Sequence, residues 1–229
     1  MIQVYEISTT WERDGKYRIA PAGLPWIGER SRLTCGKNVV IGDCSILGDD
    51  VEFDRYITVG PTVSIGANAI IEHGVDVGAR AHIEAHVTLG QYSTLGEDVR
   101  IESHATIGRH ATVGRHARVA AGAQVWATAV VGSFSTVGAG ARVRDNVHLG
   151  SGAVVGPNSE ALHDLGYADG YRKTLCRVGT VAYIGAGCHW FTLADALRHW
   201  RAHDDDRSQT LCLMKSAVAF AEHYGLTHE

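Results

Sequence analysis

Proline is scarce, 4 in 229 residues, so the 27 glycines belong to neither a collagen-like chain nor a Pro/Gly-rich disordered tract. Aromatic residues make up only 7% while apolar residues reach 45%, so small and β-branched side chains must fill the core. Five cysteines, an odd number without CxxC spacing, argue against a disulfide framework or a zinc knuckle and fit a reducing compartment. No run of 18 apolar residues occurs, which excludes a transmembrane helix from the expectation. Met1-Ile-Gln-Val-Tyr-Glu has neither the basic nor the apolar region of a signal peptide, so a cytoplasmic location is expected. A net charge of −4 gives no basis for binding extended nucleic acid.

What the chain does have is a clock of six. From Ile41 to Val155, every sixth residue is large and apolar, through twenty positions without a slip. Two residues before each anchor stands a smaller residue, such as Val63 before Ile65 or Ala105 before Ile107. Two inward positions two apart make a short strand, and a turn must redirect the chain after each. Three such strands close an 18-residue triangular coil. With Leu33 and Cys35 beginning the series, seven coils stack by parallel pairing into a prism roughly 34 Å long at the spacing of paired strands. A helix cannot hold a strict period of six.

The pattern, as in Ile65-Gly-Ala-Asn-Ala-Ile and Ile107-Gly-Arg-His-Ala-Thr, resembles the bacterial transferase hexapeptide repeat over residues 33–158. The resemblance implies a left-handed parallel β-helix and a homotrimer. Residues 1–32, with Trp11, Pro21, Pro25 and Trp26, read as an N-terminal cap over the first coil edge. After Gly156-Pro157 the clock stops, and residues 159–229 read as a small α+β module: a hairpin around Gly179, a helix opened by Thr192-Leu-Ala-Asp, and a second helix over 208–224. This module resembles a C-terminal part of uncharacterised phage and prophage proteins, which implies mobile-element origin and a host-cytoplasm location.

The register also sorts the candidate site residues. His86, His104, His110 and His116 occupy the third position after an anchor, a turn slot whose other occupants include Gly, Asn and Asp and which calls for positive φ. Turn-forming is the bland reading of all four. His86 and His104 are 18 apart and stack on adjacent coils, each after a glutamate, Glu84 or Glu102. An imidazole oriented by such a carboxylate is a candidate general base. The resemblance implies the same, since hexapeptide acyltransferases commonly use one histidine in the groove between subunits. No metal is expected, because the histidine spacings of 18, 6 and 6 scatter the ligands over different faces.

Residues 99–148 carry six arginines (Arg100, Arg109, Arg115, Arg118, Arg142, Arg144) against two acids, with no lysine between Lys37 and Lys173. Arginine suits bidentate contacts to phosphate. Arg100 and Arg118, below His82, are candidates for an anion site, or simply members of a weak surface ladder with the glutamates. Trp126, placed where earlier coils have Gly90 and Gly108 and followed in its column by Arg144, is a candidate stacking platform. It reads equally as a subunit contact or a seat for the C-terminal module.

Three functions are consistent with these features. The arginines favour a non-catalytic trimer that holds a small anionic, nucleotide-like ligand, such as a sequestered host signalling nucleotide, in its grooves without any cofactor. The alternative is an acyltransferase using acetyl-CoA or another acyl-CoA, with His104 or His86 as base. A structural or host-interaction spacer is the third.

Overall fold

The computed structural model describes residues 39–203 and 209–228 continuously and, before them, the short segments 2–3, 12–14, 17–19, 27 and 32–34. Trp11, Pro21, Pro25 and Trp26 of the expected cap lie outside the described residues.

The chain winds as a parallel β-solenoid of about seven turns followed by a small module with two helices. All twenty anchors are buried, as are their smaller partners two residues earlier. Paired strands are 18 residues apart, as in Ile83 beside Ile101 and Val125 beside Val143. One face, here the threonine face, presents Thr58, Asp76, Thr94, Thr112 and Val130. The arginine face presents Ser64, His82, Arg100, Arg118 and Thr136. The third presents Glu52, Ile70, Thr88, Thr106, Gln124 and Arg142.

Two positions explain the glycine. At the residue after the anchor, a Cβ on Gly114 would stand 2.5 Å from the Ser133 nitrogen of the next coil, too close for any side chain without a backbone shift. At the turn slot the chain is left-handed, with φ of 60° at His86 and His104 and 67° at Gly122. There the N–H of His104 donates to Ala85 O, 3.2 Å away on the preceding coil. The turns therefore carry hydrogen bonds between coils as the strands do.

The third face does not end with the repeat. Arg142–Val143 pairs in parallel with the first residues of Glu160–Ala168, and strands Tyr171–Val178, Val181–Ala186 and His189–Thr192 follow antiparallel. The expected hairpin around Gly179 is the middle of this four-stranded extension. One side of it closes the last coil, since Ala161 and Cys176 belong to the solenoid core and Tyr183 and Trp190 pack against it. Burial pushes the Cys176 thiol pKa far up, so this cysteine acts as a small apolar group. The other side carries helices Leu193–His203 and Gln209–His223 on a second core of Leu162, Leu175, Ile184, Leu193, Met214 and Ala217. Thr192 caps the first helix: its Oγ1 accepts from Asp195 N at 3.1 Å and donates to the Asp195 carboxylate at 2.9 Å.

At the opposite end, Glu12–Asp14, Tyr17–Ile19 and Arg32–Thr34 extend the same third face; Leu33 pairs with Phe53, twenty residues on instead of eighteen, so the hexad register does not reach back to Leu33 as expected. Both ends of the solenoid thus gain strands on one face, which we call the extended face.

Candidate functional site

The two edges of the extended face hold the chemistry. At its corner with the arginine face, the turn column runs Asn68, His86, His104, Gly122, Gly140, Asn158. His86 and His104 are exposed and stack with ring centroids 4.8 Å apart and planes 2° from parallel. Below His104 the column is open at Gly122, with nothing within 4 Å of a Cβ position, while at Gly140 the Asn158 side chain fills that place, its Oδ1 2.6 Å from where a Cβ would stand. The column ends at a cavity of about 270 Å³ lined by Gly140, Arg142, Asn158, Glu160, Arg177 and Gly179.

The orienting carboxylates are a correction to the sequence reading. Glu84 accepts from the N–H and hydroxyl of Ser103, at 3.0 and 2.7 Å, and these bonds hold its carboxyl below the ordinary range. Glu102 accepts from Arg118 Nε at 2.6 Å and Ala121 N at 3.1 Å. Both glutamates are committed to the next coil. The outward register was legible, but the reach of a carboxylate one coil along was not. Each imidazole is instead set by its turn and by the other ring.

The six arginines are spread around the prism rather than gathered. Arg100 and Arg118 stand on the arginine face, and Arg118 is paired with Glu102. Arg115 lies at the corner between the threonine and arginine faces, 5.7 Å over the Phe134 ring. Arg109 lies in the turn between Thr106–Ile107 and Thr112–Val113, at the far edge of the extended face. Within one protomer these side chains, with His82, do not converge on one anion. Arg142 and Arg144 do share the extended face, and Glu160 joins Arg144 to Arg177. The buried Glu160 accepts from Arg144 Nε at 2.5 Å and from Arg177 Nε at 2.8 Å. Its carboxyl ends below the ordinary range: desolvation pushes it up, and the two guanidiniums more than offset that. Arg177, from the module, could not be placed beside Arg142 without knowing that the sheet continues.

At the opposite edge, Trp126 and Arg144 come together in a cleft of about 580 Å³ with Asp145, His163 and Tyr224. The module therefore meets Trp126 across this cleft. Tyr92 and His110 stack above it along the same corner, with centroids 5.1 Å apart. Among the described residues no group of three or more His, Cys, Asp or Glu side chains is arranged to hold a metal ion, and no helix is long and apolar enough to cross a membrane.

A parallel solenoid with a hexapeptide register is the class this fold defines. Residues 56–91 match the family described as bacterial transferase hexapeptide (six repeats). Comparison with curated proteins gave no match. Among solved structures, a putative acetyltransferase from Bacillus cereus is 16% identical, with 76% of this chain and 84% of that one covered and a TM-score of 0.43. The UDP-N-acetylglucosamine acyltransferase from Campylobacter jejuni is 18% identical, with 81% of each chain covered and a TM-score of 0.33. These likenesses concern the fold.

Proposed function

We propose that this protein is an acyltransferase that takes its acyl group from a coenzyme-A thioester and works as a homotrimer. One observation carries the reading: an exposed stacked pair, His86 and His104, stands at the head of a trough that ends at Arg142 and Arg177. The transferase repeat at residues 56–91 supports it.

The thioester's phosphates would lie against the two arginines. Three coils separate His104 from Asn158, roughly 14 Å at the spacing of paired strands, a span that suits a long flexible acyl carrier. Gly122 leaves room for it. One imidazole nitrogen, of His104 or His86, takes the proton from an acceptor hydroxyl or amine. The acceptor oxygen or nitrogen bonds to the thioester carbonyl carbon. The C–S bond then breaks, and the departing thiolate recovers the proton from the imidazolium. The arginines that motivated the sequestering reading stand on two faces and two corners of the protomer and form no single anion site within it.

The test is thermal shift with coenzyme A, followed by release of free thiol from acetyl-CoA in the presence of amino and hydroxyl acceptors. Arg142→Ala with Arg177→Ala should abolish the coenzyme-A shift, and His104→Asn with His86→Asn should abolish turnover while leaving the shift. If coenzyme A at about 1 mM gives no shift, a concentration at which a micromolar ligand adds several kcal/mol, the reading fails.

A further inference from the structure

The cleft on the other edge of the extended face is separate from the histidine trough and is not needed for acyl transfer. Its floor is a single column of the solenoid: Trp126, Arg144 and Leu162 follow the anchors Val125, Val143 and Ala161 on three successive coils. Tyr224, just past helix Gln209–His223, forms part of the opposite wall, and the turn residue Asp145 lines the cleft as well. At about 580 Å³ the cleft falls within the range of small-molecule sites.

Most of the lining is already committed, and this fixes what remains. Asp164 clamps Arg172, with Nε contacts of 2.9 Å to both carboxylate oxygens. His163 packs on Phe220 with centroids 3.8 Å apart and the rings tilted by 35°. Arg144 spends its Nε on Glu160 and lies 5.6 Å over the Tyr224 ring, which fixes the guanidinium plane. Four of its five N–H groups remain beyond that bond. Asp145 is exposed and takes no partner among the described residues. Trp126 is half-buried, and its indole N–H lies 3.4 Å from Gln124 Oε1.

A half-buried indole, a fixed guanidinium and an unpaired carboxylate on adjacent residues make a specific demand. An aromatic wall selects a flat ring. A guanidinium selects a carbonyl or ring-nitrogen acceptor, and a carboxylate selects N–H donors. The charges nearly cancel, since Glu160 and Asp164 are paired with arginines and Asp145 offsets Arg144, so a phosphate is not what this cleft favours. We propose that the cleft binds a neutral planar heterocycle carrying a carbonyl beside N–H donors on one edge, the class to which guanine belongs. Trp126 stacks on the ring, Arg144 donates to the carbonyl, and Asp145 accepts from the ring N–H groups. Because Tyr224 and His163 come from the module and Trp126 from the coils, the bound ring links the two.

Titration of the full chain with guanosine, followed by tryptophan fluorescence and calorimetry, tests this. Guanosine should bind saturably and change the fluorescence. Adenosine, which lacks the carbonyl and the ring N–H, should bind at least tenfold more weakly. Trp126→Phe should remove the fluorescence change, and Asp145→Asn, at an exposed turn, should weaken guanosine at least tenfold with the melting temperature unchanged. Three results would each overturn the proposal: no saturable guanosine binding, equal binding of adenosine, or an unchanged guanosine affinity in Asp145→Asn. Acyl transfer is not measured, so failure here is distinct from failure of the histidine reading.

Discussion

The imidazoles of His86 and His104 lie flat on one another, 4.8 Å between ring centroids, because both residues fill left-handed turns exactly one coil apart in register. Two roles share these positions, forming the turn and offering a base, and they separate by substitution. His104→Asn keeps a residue that tolerates positive φ, so its melting temperature should stay within a degree or two of the parent. His104→Ala should cost less than about 1 kcal/mol, because histidine already bears most of the left-handed penalty and Arg80, Tyr92 and Phe134 hold the same slot. Both should lose thiol release if the imidazole is the base. Chemical denaturation beside the turnover assay distinguishes the two roles.

Glycines of the two kinds should respond in opposite ways. Gly114→Ala drives a Cβ to 2.5 Å from the Ser133 nitrogen and should cost about 1–3 kcal/mol, as overpacking does. Gly122 has φ of 67° and open space around it, so Gly122→Asn should fold as well as the parent. The same asparagine puts a side chain into the trough below His104. An increase of about tenfold in KM for acetyl-CoA, with unchanged thermal stability, is the expected outcome of steady-state kinetics.

Glu160 should make the junction acid-sensitive. Its carboxyl lies below its ordinary value in the fold, held there against the cost of burial by Arg144 and Arg177. The ionised pair therefore contributes its stability in full above the unfolded-state value near 4.5. That contribution is lost as pH falls through the lower folded value. Glu160→Gln leaves two guanidiniums without their carboxylate and should cost about 3 kcal/mol at neutral pH. Denaturation curves at pH 7 and pH 3 should differ less for the variant than for the parent.

Three serines take anchor-partner places in the core, and their fates differ. Ser45 Oγ donates to Gly60 O at 3.0 Å and accepts from Val63 N at 3.1 Å, and Ser135 makes the equivalent pair with Gly150 and Ala153. The Ser93 hydroxyl is buried and has no partner among the described residues. Ser93→Ala should stabilise by about 1 kcal/mol, whereas Ser45→Ala and Ser135→Ala should destabilise by a similar amount. Thermal denaturation of the three variants measures the contrast.

The solenoid was legible because its rule is local. A large apolar residue every sixth place with a second inward residue two before it states the faces and the corners, so the neighbours of His86 or Arg100 follow by counting 18. The helix start at Thr192 was legible for the same reason, since a cap is made by residues three apart. The continuation of the extended face was not. Strand Glu160–Ala168 contains register shifts and no period, and its partner Tyr171–Val178 returns antiparallel, so nothing in the hexad pattern announces that they extend the face.

The candidate site divides in the same way. By itself the sequence determined the prism, the stacked histidines at a corner, and the bare columns of glycine, since a repeat maps position onto geometry without further information. Only the tertiary structure decided which charges meet: that Glu84 and Glu102 serve the next coil rather than the imidazoles, that Glu160 joins Arg144 to Arg177, and that Tyr224 reaches the cleft lined by Trp126. Long side chains choose partners within reach in space, and a module without a repeat places its groups by packing, which no count along the chain supplies.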